Sequence, residues 1–267
     1  CRHAKGLCRI CQGEQSATDA GRIHSAGSDF RKRAAQFADT KAAQIMAYGC
    51  PIVDDSSGRD LVAQTADSPV KGYWPSPWPS EDGGPSRLQS APDPQALTEP
   101  GSLRLAATSR RRLMTTMTVL GDPGEIFVMT HQALRSQIGL PTTAQVERID
   151  QLTLRALARS PRLDGGPMWP GGMAIHRNGD LYTVYGRHIH RLARADLTVR
   201  AAARLPVNQP YNSFVILDCG LIVTKNLSVS TSAQLCVIDP DDLALVCPPL
   251  DCAEPSVARL SAVENTV

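Results

Sequence analysis

Aromatic residues are scarce: Phe, Trp and Tyr make up 4% of the 267 residues. Net charge is nearly absent as well, because 28 Lys+Arg face 26 Asp+Glu and leave a formal +2. No general field exists to hold a polyanion, which disfavours a nucleic-acid binder. Long apolar runs are missing, and nothing approaches the ~20 residues of a spanning helix, so no transmembrane segment is expected in this chain. The sequence contains no G-x-S-x-G, no H-E-x-x-H and no G-x-x-x-x-G-K. Hydrolysis by a serine nucleophile or a zinc-bound water is therefore unsupported, and no catalytic residue is assigned. An S-x-x-K spelling does occur at Ser68-Pro69-Val70-Lys71. Pro69 and Gly72 place it in a loop without companion motifs, and it reads as chance.

What is present is 42% apolar residues together with 20 Gly and 20 Pro, the texture of a globular, turn-rich protein long enough to bury a sizeable core. The chain opens at Cys1 and stops at Asn265-Thr266-Val267, which read as the first residues of a strand. A fragment or processed product is the expectation, and the compartment is left open. Three regions follow from composition. Residues 1–72 are mixed, with a helix expected over about 29–47, where Phe30, Ala34, Phe37, Ile45 and Met46 fall loosely at helical spacing. Residues 73–114 are rich in Pro, Gly and Ser, and Trp74-Pro75-Ser76-Pro77-Trp78-Pro79 should be extended, as a linker or a wrapped loop. Residues 115–267 break into short strand-like runs separated by turn signals.

Those runs repeat. The first unit carries Met117–Leu120, Glu125–Met129 and Val146–Asp150; the second Gly172–Ile175, Leu181–Tyr185 and Ile189–Leu192; the third Ser213–Leu217, Leu221–Thr224 and Leu235–Asp239. A fourth run is expected to begin at Leu154, Leu197 and Leu243, five residues after the matched Ile149, Leu192 and Ile238. Four short strands recurring about every 40–50 residues mark a β-propeller blade, whose two faces are covered by its neighbours. The fold class is therefore all-β: a partial β-propeller of four-stranded blades, preceded by an irregular or partly helical N-terminal segment. A further unit is expected to start at Ser256–Leu260. Three blades alone would leave two apolar faces bare, so either the region before 115 covers one or the chain continues.

Gly165-Gly166-Pro167-Met168-Trp169, then Asn178-Gly179-Asp180-Leu181-Tyr182-Thr183-Val184 and Ile189-His190-Arg191-Leu192, resemble a blade of six-bladed propellers of the gluconolactonase, regucalcin and strictosidine-synthase-like kind. The resemblance implies a divalent-metal carboxylate at the place of Gly165. Glycine offers no ligand there, so neither metal nor cofactor is expected. It also implies that Asn212 is directed into the central channel.

Cys1, Cys8 and Cys11 with His3 and His24 could together ligate Zn²⁺, but Cys1 sits at a ragged end and the next close pair, Cys247 and Cys252, is far away. Free thiols are expected over a Cys247–Cys252 disulfide. His188 and His190 alternate about Ile189 and share one side of a strand, read as a solvated face; His131 is read as a surface-loop residue. Arg31-Lys32-Arg33 and Arg110-Arg111-Arg112 are read as solvated charge.

Propeller ligands gather where the inner strands and their entry loops converge. Here that selects Trp169, Tyr211, Asn212, Lys225 and Glu254 as the ligand-binding residues, expected on the channel face and suited to a small organic ligand. The expected function is a ligand-binding propeller without demonstrated chemistry. Two alternatives stay open: a non-enzymatic interaction scaffold, and a lactonase- or hydrolase-like enzyme that has lost its metal-binding Glu. Converging carboxylates and amides in the channel would favour a ligand, and a plugged channel would favour the scaffold.

Overall fold

In the computed structural model the described residues are 71–89, 107–109, 114–167 and 171–267. The helix expected over 29–47, the Cys1–Cys8–Cys11 group, both basic runs and Trp169 lie outside them.

The expected architecture is present as three consecutive antiparallel sheets. The first is ordered β1 (Met114–Leu120), β2 (Ile126–His131), β3 (Thr143–Ile149) and β4 (Ala156–Arg159), with β5 (Leu163–Asp164) also on β3. The second is ordered β6 (Gly172–Ile175), β7 (Leu181–Tyr185), β8 (His188–Leu192) and β9 (Val199–Arg204). The third is ordered β10 (Tyr211–Ile216), β11 (Ile222–Asn226), β12 (Gln234–Ile238) and β13 (Leu250–Asp251). Of the first strands, β6 adjoins both β1 and β10.

Both faces of the middle blade are covered, which is why every residue of Leu181-Tyr182-Thr183-Val184-Tyr185 is buried instead of alternating with solvent. Leu181, Tyr185 and Leu192 pack against Val119, Phe127 and Met129 of the first blade. Tyr182, Val184 and Ile189 pack against Phe214, Ile216 and Ile238 of the third.

The repeat extends to the backbone. Each first hairpin closes with the same bond, from the N–H of Gly121, His176 or Leu217 to the carbonyl of Glu125, Asp180 or Leu221. The turn holds a glycine at positive φ each time: Gly124 at 89°, Gly179 at 86° and Gly220 at 96°. Between third and fourth strands, Leu154, Leu197 and Leu243 all take left-handed φ, 56°, 63° and 59°. Each donates its N–H to the carbonyl four residues back, at Asp150, Ala193 or Asp239. These leucines therefore close the turn and do not begin the fourth strand. The strands start two residues later, where Ala156, Val199 and Leu245 face Ile149, Leu192 and Ile238. The fourth strand runs unbroken in the second blade, but Pro161 interrupts it in the first and Pro248-Pro249 in the third, because proline has no N–H for the ladder.

The C-terminal residues lie against the third blade. Leu260 and Ala262 pack on Val215, Leu217, Val223 and Val237 and cover the outer face of the third blade. Val263 and Thr266 bridge around a turn whose Glu264 carbonyl and Asn265 side chain accept from Asp218 and Cys219 N–H. The same neighbouring turns are joined one step earlier, where Arg177 donates to the carbonyls of Asp218 and Cys219 at 2.9 and 2.7 Å.

Residues 71–89 lie along the inside. Tyr73 bridges to His176 and Ser80 to Ala174, on the free edge of β6. Leu120 at the end of β1 donates to Trp78 O, and Tyr73 Oη accepts the Ile216 N–H of β10 at 2.8 Å. The stretch is wrapped against the blades, but it is not extended throughout as expected: it bends at 75–77, where Ser76 donates its N–H back to Trp74 O and its hydroxyl to Leu120 O.

Candidate functional site

Matching the blades through their paired strand ends (Ile126 with Ile149, Leu181 with Leu192, Ile222 with Ile238) brings Met129, Val184 and Lys225 to one equivalent place. In the first two blades that place packs into the next blade's core. The third blade puts a lysine there. Lys225 is 5% exposed, and its Nζ reaches Ser256 Oγ at 3.0 Å and Ser256 O at 3.4 Å. Among the described residues no carboxylate lies within ion-pair distance of it. Burial holds its ammonium below the ordinary lysine range, opposed only by the Cys252 thiol.

Asn212 stands beside the same segment, donating from Nδ2 to Val257 O at 3.2 Å. The segment is fixed by backbone bonds too, from Ser228 N to Ser256 O and from Ala233 N to Glu254 O. Glu254 itself is exposed and acts through space on Cys252, whose thiol is pushed up by burial first and drawn down by Lys225. Cys247 and Cys252 are not joined in a disulfide. The structure thus gathers Asn212, Lys225 and Glu254 around residues 254–257, on the side of the third blade away from the second. Tyr211 is placed elsewhere: it is fully buried between the second and third blades, with Oη accepting the Val207 N–H at 3.1 Å. Ser256 escaped sequence reasoning as a partner because the contact spans 31 positions, although a charged residue in an apolar slot of the repeat was legible.

The inner edge carries a second polar group. Glu81 and Asp82 pair with Arg87 at 3.1 and 2.9 Å, and Arg259 reaches Asp82 at 2.7 Å and Glu81 at 3.9 Å. Arg87 also donates to Leu260 O and to Ser213 Oγ. Burial pushes the Glu81 carboxyl up to about 7 against the pull of Arg87 and Arg259. Both carboxylates are engaged by arginines of the same chain, so this group joins the wrapped stretch to the third blade and to residues 259–260.

No protein-family model matches the chain, and no curated protein matches it. Function therefore rests on the geometry alone.

Three histidines differ from the sequence expectation. His188 and His190 do share a face, but that face is turned to the first blade, and His190 is buried. His131 is the last residue of β2 and is buried beside Tyr185, with ring centroids 5.4 Å apart. In a stacked blade both faces are interior, so strand alternation does not imply a solvated side. At Gly165 an added Cβ would stand 2.6 Å from Thr142 O and 2.7 Å from Tyr185 Cε1, which leaves no room for a side chain. Among the described residues no group of three or more His, Cys, Asp or Glu side chains could hold a metal ion, and no helix is long and apolar enough to cross a membrane.

Proposed function

We propose that the chain is a ligand-binding β-propeller protein whose ligand is a small organic anion, received at Lys225 and Asn212. One observation supports this reading above the others: a buried ammonium in a repeat slot that two sister blades fill with Met129 and Val184, satisfied among the described residues only by the neutral oxygens of Ser256. Carboxylate oxygens bind an ammonium more strongly than a hydroxyl or a carbonyl does. An entering anion would take over the Ser256 contacts, and Asn212 Nδ2 would add a directional donor. The crowding at Gly165 fits a protein without the metal carboxylate of the gluconolactonase-like propellers, and the likeness to them is read as one of blade architecture.

A second reading, a non-enzymatic interaction scaffold, is favoured by the stretch 71–89, which occupies the inner edges where an axial ligand would lie. Calorimetry with a panel of mono- and dicarboxylates separates the two. The ligand reading expects saturable binding of at least one carboxylate by the wild type, lost in Lys225→Met. Absence of binding across the panel, or equal binding by both proteins, would leave the scaffold reading standing.

A further inference from the structure

Between the first and second blades the hydrophobic core gives way, at one end, to polar side chains. Thr183 and Tyr185 on β7 face the first blade beside their cross-strand partners His190 and His188 on β8. His131, from the end of β2, meets Tyr185 from the opposite side. His131, Thr183, Tyr185 and His190 are each no more than 3% exposed. Among the described residues four of their polar atoms have no hydrogen-bond partner, both ring nitrogens of His131, Thr183 Oγ1 and His190 Nδ1, and Tyr185 Oη is approached only by Thr142.

The neighbouring polar groups are satisfied. His188 Nδ1 bonds Gly165 O at 2.5 Å. Thr142 Oγ1, beside Tyr185, is committed to Gly166, donating to its carbonyl at 2.6 Å and accepting its N–H at 3.3 Å. The residues matched to this cluster in the third blade are satisfied too: Thr224 donates to Ser213 O, and Asn226 bonds Gln209 and Gln234. Buried polar atoms without partners carry the full desolvation penalty with nothing returned, and such a concentration calls for an occupant.

The chemistry of the four side chains limits that occupant. Neutral imidazole, phenol and hydroxyl can each both donate and accept, and none carries a charge. Burial pushes His190 down to about 4 and His131 below its ordinary value, so both rings are neutral near pH 7. Asp164, which is exposed, acts on His190 only through space. An anion would require donors throughout and a cation acceptors throughout, whereas hydroxyl groups match a set that does both. Half-buried His188 marks the side nearest solvent.

We propose that His131, Thr183, Tyr185 and His190 form a second binding site, for a small uncharged polyhydroxy compound. The test follows the histidine ring signals by NMR while glycerol, erythritol, xylose and glucose are added one at a time to the wild type, Thr183→Val and Lys225→Met. At least one probe should shift the His131 and His190 signals saturably while leaving that of His176, which bonds Gly220 O elsewhere, in place. Thr183→Val, which keeps the shape and removes the hydroxyl, should weaken that probe about tenfold, the loss of one hydrogen bond. Lys225→Met should bind it as the wild type does, which keeps this site distinct from the anion site. No saturable shift with any probe, as for a cluster that holds water alone, would overturn the proposal. So would equal affinity in Thr183→Val, with an unchanged His176 signal showing that the variant is folded.

Discussion

Replacing Lys225 by Met restores to the third blade the apolar residue that its sisters carry, and the structure fixes the sign of the outcome. The variant loses a charge-assisted hydrogen bond to Ser256 Oγ at 3.0 Å, a contact of about 1.5–3 kcal/mol; the 3.4 Å contact to Ser256 O adds little. Half-buried Ser256 can turn its hydroxyl to water. In return the Met side chain adds only about 1 kcal/mol of apolar burial to what the Lys225 stem, itself 5% exposed, already provides beside Val223 and Val237, and the variant no longer strips an ammonium of water, an effective penalty of several kcal/mol for a fully buried ion. The balance favours Met by about 1–2 kcal/mol. Urea unfolding should show a higher midpoint at unchanged slope, and Tm should rise by roughly 2–4 °C per kcal/mol. Gained stability together with lost carboxylate binding would mark Lys225 as retained for function against the interest of folding. A fall of more than about 1 kcal/mol would refute the reasoning and make Lys225 a pin for residues 254–257.

Three other outcomes follow from the fold. Leu154 and Leu197 share a left-handed backbone, but only Leu197 is fully buried; Leu154→Gly should stay within about 1 kcal/mol of the wild type, since relief of strain offsets the lost contact, whereas Leu197→Gly should cost about 2–5 kcal/mol in chemical unfolding. Tyr73→Phe leaves the buried Ile216 N–H without its acceptor and should destabilise by about 1–3 kcal/mol; no change would mean that the wrapped stretch is not seated on β10. Glu81 has a folded pKa raised to about 7 from an ordinary 4.5, so its contribution is complete below about pH 4.5 and is lost as pH rises through 7. His190 is depressed to about 4 from 6.5, so its contribution is present above pH 6.5 and is lost as pH falls through 4. The two slopes oppose each other, and Glu81→Gln should make stability climb more steeply from pH 4.5 to 7. An unchanged pH profile would show that Glu81 is ionised throughout that range.

The blades were legible because their signals are local: short β-rich runs, Gly-bearing turns and matched Ile149, Leu192 and Ile238. Strand ends were less so. Leu154, Leu197 and Leu243 look like strand residues by type, and only their backbone conformation reveals them as turn closures. The prolines of 74–79 announced extended chain, yet it bends at 75–77, and its seat on the free edge of β6 depends on residues a hundred positions away, such as Ala174 and His176. Of the nominated site, Asn212, Lys225 and Glu254 came together because they lie at one end of the third repeat and its successor. Tyr211 was drawn inward by the burial its ring gains between blades. The histidine cluster was hidden for a different reason. Alternation assigns His188 and His190 to one face but carries no information on whether another sheet covers that face.

The most direct test of Lys225 as a buried cation awaiting an anion is the titration of its side chain, followed through a ¹³Cε label in the full chain with and without a bound carboxylate. The amine should titrate below the ordinary lysine range when free, and the midpoint should move up when the carboxylate is bound. An ordinary midpoint that ignores added carboxylates would contradict the account.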